Sequence, residues 1–196
     1  MTEERLRRWL RSLLATPGLT SISDPDEAWR VHVEQSLEPL ELVRALDGPI
    51  VDVGSGGGAP GIPLAAALPD REVTLLEANE RKVAFLKHAA TEFPNVRVVR
   101  GRAEEQELER FELAVAKALA APPVALEWCL PLVRIGGGAL LYVGSSASAA
   151  VVSSAARQLG GAPAERHGGT LFVRKVEPTP ARFPRRAGIA RKRPLV

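Results

Sequence analysis

Ile50-Val51-Asp52-Val53-Gly54-Ser55-Gly56-Gly57-Gly58-Ala59-Pro60-Gly61 is the stretch whose reading decides this chain. Ile50, Val51 and Val53 read as a short buried strand. Gly54, Gly56, Gly57 and Gly58 then make a turn almost without side chains, and Pro60 stands where a helix begins, ahead of Ile62–Leu68. With no Cβ in the way, such a turn lets backbone N–H groups and the helix N-terminus approach a ligand. The reading predicts a nucleotide-type site at the carboxyl end of the first strand. A bare glycine turn is the alternative. Four glycines in five positions weaken folding, however, unless something needs the space.

The next question is which nucleotide. Gly56, Gly58 and Gly61 satisfy G-x-G-x-x-G, which taken alone points weakly to NAD or FAD. Asp52 argues the other way, because a carboxylate there repels a pyrophosphate by on the order of a few kcal/mol in a partly dry site. S-adenosylmethionine carries a sulfonium and an ammonium, which an aspartate favours. The pattern hydrophobic-Asp-hydrophobic-Gly-x-Gly-x-Gly resembles that of class I methyltransferases.

A chain of 196 residues with 45% hydrophobic and 25% charged residues suits one α/β domain with an appendage. A single cysteine, Cys129, excludes an internal disulfide and a cysteine-rich metal site, and His32, His88 and His167 lack metal-ligand spacing, so no metal is expected. Cys129 reads as a core thiol. No apolar run is long enough to span a bilayer and the charged start does not read as a signal peptide, so the expectation is a cytoplasmic, monomeric protein without a membrane partner. The net charge of +3 is uneven. From Pro178 onward Arg182, Arg185, Arg186, Arg191, Lys192 and Arg193 face no acid, leaving 20 basic against 23 acidic residues in the body. A cationic tail on such a body points to a polyanionic partner.

Working outward, Thr2–Thr16 is an amphipathic helix with Leu6, Trp9, Leu10, Leu13 and Leu14 on one face; its arginines are either a solvated face or an RNA contact. Asp24-Pro25 caps a second helix through Leu37. These helices are expected at the sheet edge or as a roof over the site. After the loop, residues 72–77 form a second strand ending on Glu77, at the interval where such folds place a carboxylate on ribose hydroxyls. Asn79–Phe93 is a helix and Val96–Arg100 a third strand. The following Ala103-Glu104 either closes on an adenine edge or simply places acids at a helix N-terminus. Phe111–Lys117 is a fourth strand, residues 124–133 a helix broken near Pro131, and residues 138–144 a fifth strand. A helix over 146–159 and a closing hairpin around Gly168-Gly169 follow. The alternation predicts an α/β fold with a seven-stranded, mostly parallel sheet and one antiparallel edge strand.

Asp-Val-Gly-Ser-Gly-Gly-Gly-Ala-Pro-Gly-Ile-Pro (52–63), the helix start Ala78–Leu86, Gly101–Glu105 and the tail Phe183–Leu195 resemble the bacterial small-subunit (16S) ribosomal RNA guanine-N7 methyltransferases, the glucose-inhibited division protein B family. The likeness spans residues 18–196, with Gly18–Glu27, His32 and Ser36 resembling that family's N-terminal region. It implies a class I, Rossmann-like methyltransferase domain over 49–177, an N-terminal helical extension over 1–48 and a basic tail over 178–196. It also implies S-adenosylmethionine at Gly54, Ala59, Glu77, Ala78, Asn79, Ala103 and Glu104, to which the loop reading adds Asp52 and Gly56. Lys117 stands where the family more often has arginine, which keeps the charge and loses the two-pronged donor. Gln35 replaces a common aspartate. Lys117 is the candidate charge near the methyl, the donor or the RNA, and the six tail cations are the candidate RNA contacts.

Guanine N7 offers a lone pair and has no proton to lose, so its methylation needs no general base, in keeping with a chain that shows none. No Asn/Asp-Pro-Pro-aromatic motif follows the fourth strand and no Pro-Cys pair is present. The expected partner is ribosomal RNA or the small ribosomal subunit, at an unpaired guanine. Rival readings are a methyltransferase acting on another RNA, a protein or a small molecule, and a non-catalytic ribosome-binding module. On this reading the tail binds RNA and is dispensable for the methyl donor.

Overall fold

The computed structural model describes residues 2–196. Helix α1 (Thr2–Ala15) is followed by α2 (Pro25–Trp29), a π-turn (Arg30–Glu34), and the short α3 (Gln35–Leu37) and α4 (Leu40–Arg44). The Asp24 side chain accepts the Glu27 amide at 2.7 Å and Pro25 opens α2, as the sequence predicts. Strand β1 (Ile50–Val53), α5 (Gly61–Ala67), β2 (Val73–Glu77), α6 (Glu80–Ala90), β3 (Val96–Arg100), β4 (Phe111–Lys117), α7 (Pro122–Cys129), β5 (Val133–Tyr142), α8 (Ala149–Gln158), β6 (Glu165–His167), β7 (Thr170–Arg174) and α9 (Ile189–Lys192) complete the chain.

The seven strands lie in the order β3-β2-β1-β4-β5-β7-β6. The first five in that order pair in parallel, while β7 runs antiparallel to both β5 and β6. The expected antiparallel strand, β7, therefore lies next to the edge, and the three residues of β6 form the edge itself. β1 is buried on all four residues because both sheet faces are covered, which is why it reads as a continuous apolar run interrupted only by Asp52. β5 begins five residues earlier than expected, its glycines 136–138 carrying the chain along β4 through a register shift.

One sheet face is covered by α5, α6 and the N-terminal helices, the other by α7 and α8. Leu6, Trp9, Leu10 and Leu13 of α1 are buried in the first of these layers, each worth about 1.5–3 kcal/mol of transfer free energy. The N-terminal helices thus lie over a face, against α5, and not along the sheet edge. Arg8 of α1 makes a two-pronged ion pair with Glu92, and Arg7 stacks 4.5 Å over the Trp29 ring. Much of the basic face of α1 is therefore spent within the protein.

The last residues dock as well. Lys175, fully buried, donates to the Leu130 carbonyl at 3.1 Å and to Thr179 at 2.6 Å, with Glu109 at 3.4 Å. Glu109 also accepts the Thr179 amide at 2.7 Å. Phe183 is buried in the layer formed with α7 and α8.

Candidate active site

The glycine turn is built on Asp52 and Glu77. Gly54, Gly56 and Gly58 all have positive φ, and the bend returns the chain so that the Gly61 amide donates to Asp52 Oδ2 at 3.0 Å. Gly61 itself has no room for a side chain, since a Cβ would lie 2.3 Å from Leu75 Cδ2 and 2.7 Å from Asp52 Oδ2. Glu77, at the end of β2, accepts the Gly56 amide at 3.0 Å on one oxygen and the Asn79 amide at 2.8 Å on the other. It therefore ties the loop to the adjoining strand while keeping lone pairs for a ligand. From behind, Trp9 Nε1 donates to the Gly57 carbonyl at 2.9 Å, and a Cβ at Gly57 would meet Leu13 at 2.3 Å. The N-terminal extension holds the loop in place.

At the carboxyl ends of the strands the loop opens on a cleft of about 300 Å³. It is lined by Val53, Gly54, Leu76–Ala78, Lys82, Gly101–Glu104, Ala118, Leu119, Trp128, Gly188 and Arg191. Gly54, Glu77, Ala78, Ala103 and Glu104 are thus brought together as expected. Five other candidates take different places. Asp52 is buried beneath the loop, 1% exposed, because the tight bend folds back over it. Burial pushes its carboxyl up to about 7, opposed by the Gly61 hydrogen bond, and its Oδ1 has no partner. The Gly56 amide is taken by Glu77, and Ala59 packs against the N-terminal layer. Asn79 caps α6, its side chain accepting the Lys82 amide at 3.2 Å.

Lys117, the candidate charge near the methyl, the donor or the RNA, does not line the cleft either. The side chain turns to the N-terminal layer, donates to the Val31 carbonyl of the π-turn and sits 5.7 Å from the Tyr142 ring centre. Burial lowers its pKa to about 8, partly offset by Glu38 and Asp52. His32 is likewise lowered, by burial and then by the Lys117 charge. Immediately after Lys117 the backbone of Ala118 adopts φ 53°, a left-handed conformation that costs an alanine about 1–2 kcal/mol. Cys129 is buried with its thiol pushed up, as befits a core residue.

The tail residues divide. Arg185 makes a two-pronged ion pair with Glu127, which is 3% exposed on α7, so it is not free for RNA. Arg191 stacks 5.2 Å over Trp128 and donates to the Leu119 carbonyl at 3.3 Å, inside the wall of the cleft. Arg182, Arg186, Lys192 and Arg193 are exposed. The tail supplies part of the cleft through Gly188 and Arg191, a placement the sequence reading does not give. Trp128 and Leu119 were not anticipated either. Neither lies in a motif, and only packing brings α7 to the end of β4.

A second hollow of about 370 Å³ lies alongside, sharing Ala118 and Leu119 with the first. Its walls are Pro122 and Pro123, the end of β5 at Leu141–Gly144, and Ser146–Ser148. Among the described residues there is no group of His, Cys, Asp and Glu fit to hold a metal ion, and no helix is long and apolar enough to cross a membrane.

A mostly parallel sheet in this strand order, with one antiparallel strand, a side-chain-poor loop after β1 and an acid at the end of β2, defines the class I methyltransferase fold. A solved structure with that architecture, the apo form of the S-adenosylmethionine-dependent methyltransferase SibL, superposes with a TM-score of 0.62 at 16% identity, covering 90% of this chain and 68% of that one. The family model for GidB, rRNA small subunit methyltransferase G, matches residues 3–159. Proteins called ribosomal RNA small subunit methyltransferase G are similar along nearly the whole chain. That of Synechococcus sp. (strain JA-3-3Ab) is 37% identical over 92% of this chain and 79% of its own length. That of Thermotoga neapolitana is 36% identical over 98% and 91% respectively. The chain belongs to the GidB family of small-subunit rRNA methyltransferases.

Proposed function

We infer that this protein transfers a methyl group from S-adenosylmethionine to guanine N7 in 16S ribosomal RNA. The observation that carries the reading is the cleft between the glycine loop and Glu77, in a chain of this family. Its residues fit the donor. A volume of about 300 Å³ lies at the lower end for small-molecule sites. The carboxylates of Asp52 and Glu77 gather at the loop, and the cations Lys82, Arg102 and Arg191 line the cleft. A loop with one carboxylate beneath it and another beside it suits a sulfonium and ribose hydroxyls and opposes a pyrophosphate.

In this reading Gly54 lets the backbone approach the donor, Glu77 takes the ribose, and Ala103 with Glu104 meets the base. Asp52 acts through space from beneath the loop, and Gly56, Ala59 and Asn79 shape the cleft without lining it. The donor supplies an electrophilic methyl. The protein's own task is to hold the acceptor in line, since N7 has no proton to remove and proximity alone can be worth several kcal/mol. The neighbouring hollow, apolar with serine hydroxyls on one side, suits an unpaired purine swung out of the RNA. Lys117, the last residue of β4, lines neither hollow, its ammonium being held by the Val31 carbonyl in the N-terminal layer, and Arg182, Arg186, Lys192 and Arg193 are available for phosphates. Residues 1–48 then serve as a support for the loop, 49–177 as the catalytic domain and 178–196 as a docked basic tail.

The test is transfer of labelled methyl to small-subunit RNA and to intact small subunits, followed by mass-spectrometric mapping of the modified base. Label on guanine N7 supports the reading. Label on another base, on protein only, or on nothing while the donor is bound refutes it.

A further inference from the structure

The C-terminal segment makes more contact with the cleft than a phosphate-binding tail requires. Gly188 and Arg191 line it, together with Trp128 and Glu104. The Gly188 amide points to Glu104 Oε1 at 3.4 Å, and the Arg191 guanidinium lies 5.2 Å over the indole of Trp128. Two anchors upstream hold the segment in place: the buried Phe183 and the Arg185–Glu127 ion pair, whose acid is 3% exposed. Ala190, in the short α9, is buried at 2%. On the same wall, the indole N–H of Trp128 is shielded from solvent and has no partner. A buried donor without an acceptor costs about 1–3 kcal/mol, and a ligand's acceptor atom is one way to recover it.

From this arrangement we propose that the segment Phe183–Arg193 is a closing wall of the methyl-donor cleft, with Arg191 a donor-contacting residue. The inference rests on the donor-site reading above. Arg191 and Trp128 present a flat cation and a flat aromatic ring at the Glu104 end of the cleft. Such a pair matches the heteroaromatic base of the donor, which a guanidinium can stack against or hydrogen-bond at its edge. On the outward side Arg186, Lys192 and Arg193 remain exposed, so the segment that closes over the donor also offers cations to RNA. Donor and RNA then act on one element, and by linkage each alters the other's affinity by the same factor.

The experiment uses the full chain and S-adenosylhomocysteine as probe. Calorimetry compares wild type with Arg191→Ala and Arg191→Lys, whose folding is checked by circular dichroism and thermal unfolding without ligand. The alanine variant is expected to bind on the order of ten-fold more weakly, and the lysine variant to recover only part of the loss. In parallel, limited trypsin digestion of the unmodified protein follows cleavage after Arg186, Arg191 and Lys192. Saturating S-adenosylhomocysteine should slow it several-fold. Wild-type binding with unchanged affinity in Arg191→Ala, or cleavage rates indifferent to the probe, overturns the proposal while leaving the donor site standing. A wild-type chain that does not bind the probe at all overturns the donor-site reading and this inference with it.

Discussion

Replacing Asp52 with asparagine should remove a pH-dependent cost that the wild-type protein carries near neutrality. Asp52 has a folded-state pKa of about 7 against an ordinary value of 3.8, with burial as the main cause. An acid whose pKa is raised on folding binds more protons in the native state, so stability falls as pH rises from about 4 to about 7 and stays at its lower level above that. Three pKa units at 1.36 kcal/mol each amount to about 4 kcal/mol between the two ends of this window. Asparagine can still accept the Gly61 amide but places an NH₂ where Oδ1 has no partner, a pH-independent penalty of about 1–3 kcal/mol. The assay is urea unfolding of both proteins without ligand, from pH 4.5 to 8. Subtracting the two curves cancels the groups they share, including Glu92 and Glu109, whose lowered pKa values give the opposite slope. The asparagine variant should gain relative to wild type as pH rises, by a few kcal/mol across the window. A flat difference curve would refute the assignment of that pKa to Asp52. The donor's positive charges favour the ionised carboxylate, so donor binding should release a proton below pH 7 in wild type and none in the variant, measurable by calorimetry in buffers of different ionisation enthalpy.

Other substitutions read other parts of the site. Gly61→Ala forces a Cβ against Leu75 and Asp52 and should cost about 1–3 kcal/mol in chemical denaturation, together with donor affinity. Arg185→Ala strands the Glu127 charge in the α7 layer and should lose about 3 kcal/mol, whereas Arg186→Ala, at an exposed position, should change stability by less than about 0.5 kcal/mol. Equal melting temperatures for those two variants would show that the tail is not docked through Arg185. Ala118→Gly relieves a left-handed alanine and should raise stability by about 0.5–1 kcal/mol in urea, while freeing the backbone between the two hollows and lowering methyl transfer.

How much of this was legible from residues alone depended on whether the signal was local. The glycine turn, the Asp24-Pro25 cap, the third and fourth strands at their full observed extents and the acid closing β2 are set by neighbouring residues: chain reversal needs positive φ, and a buried parallel strand needs a short apolar run. The chemistry of the donor could also be argued there, because Asp52 opposes a pyrophosphate and Glu77 stands at the interval of a ribose-binding acid. Tertiary structure decided what each side chain does. Asp52 lies under the loop because the bend that serves the ligand also folds Gly61 back onto it. Lys117 leaves the cleft because the π-turn offers it a carbonyl at the end of β4. Among six cations alike in sequence, Arg185 is paired with Glu127 and Arg191 is stacked on Trp128, partners 58 and 63 positions away, and only the fold brings groups so distant along the chain within reach.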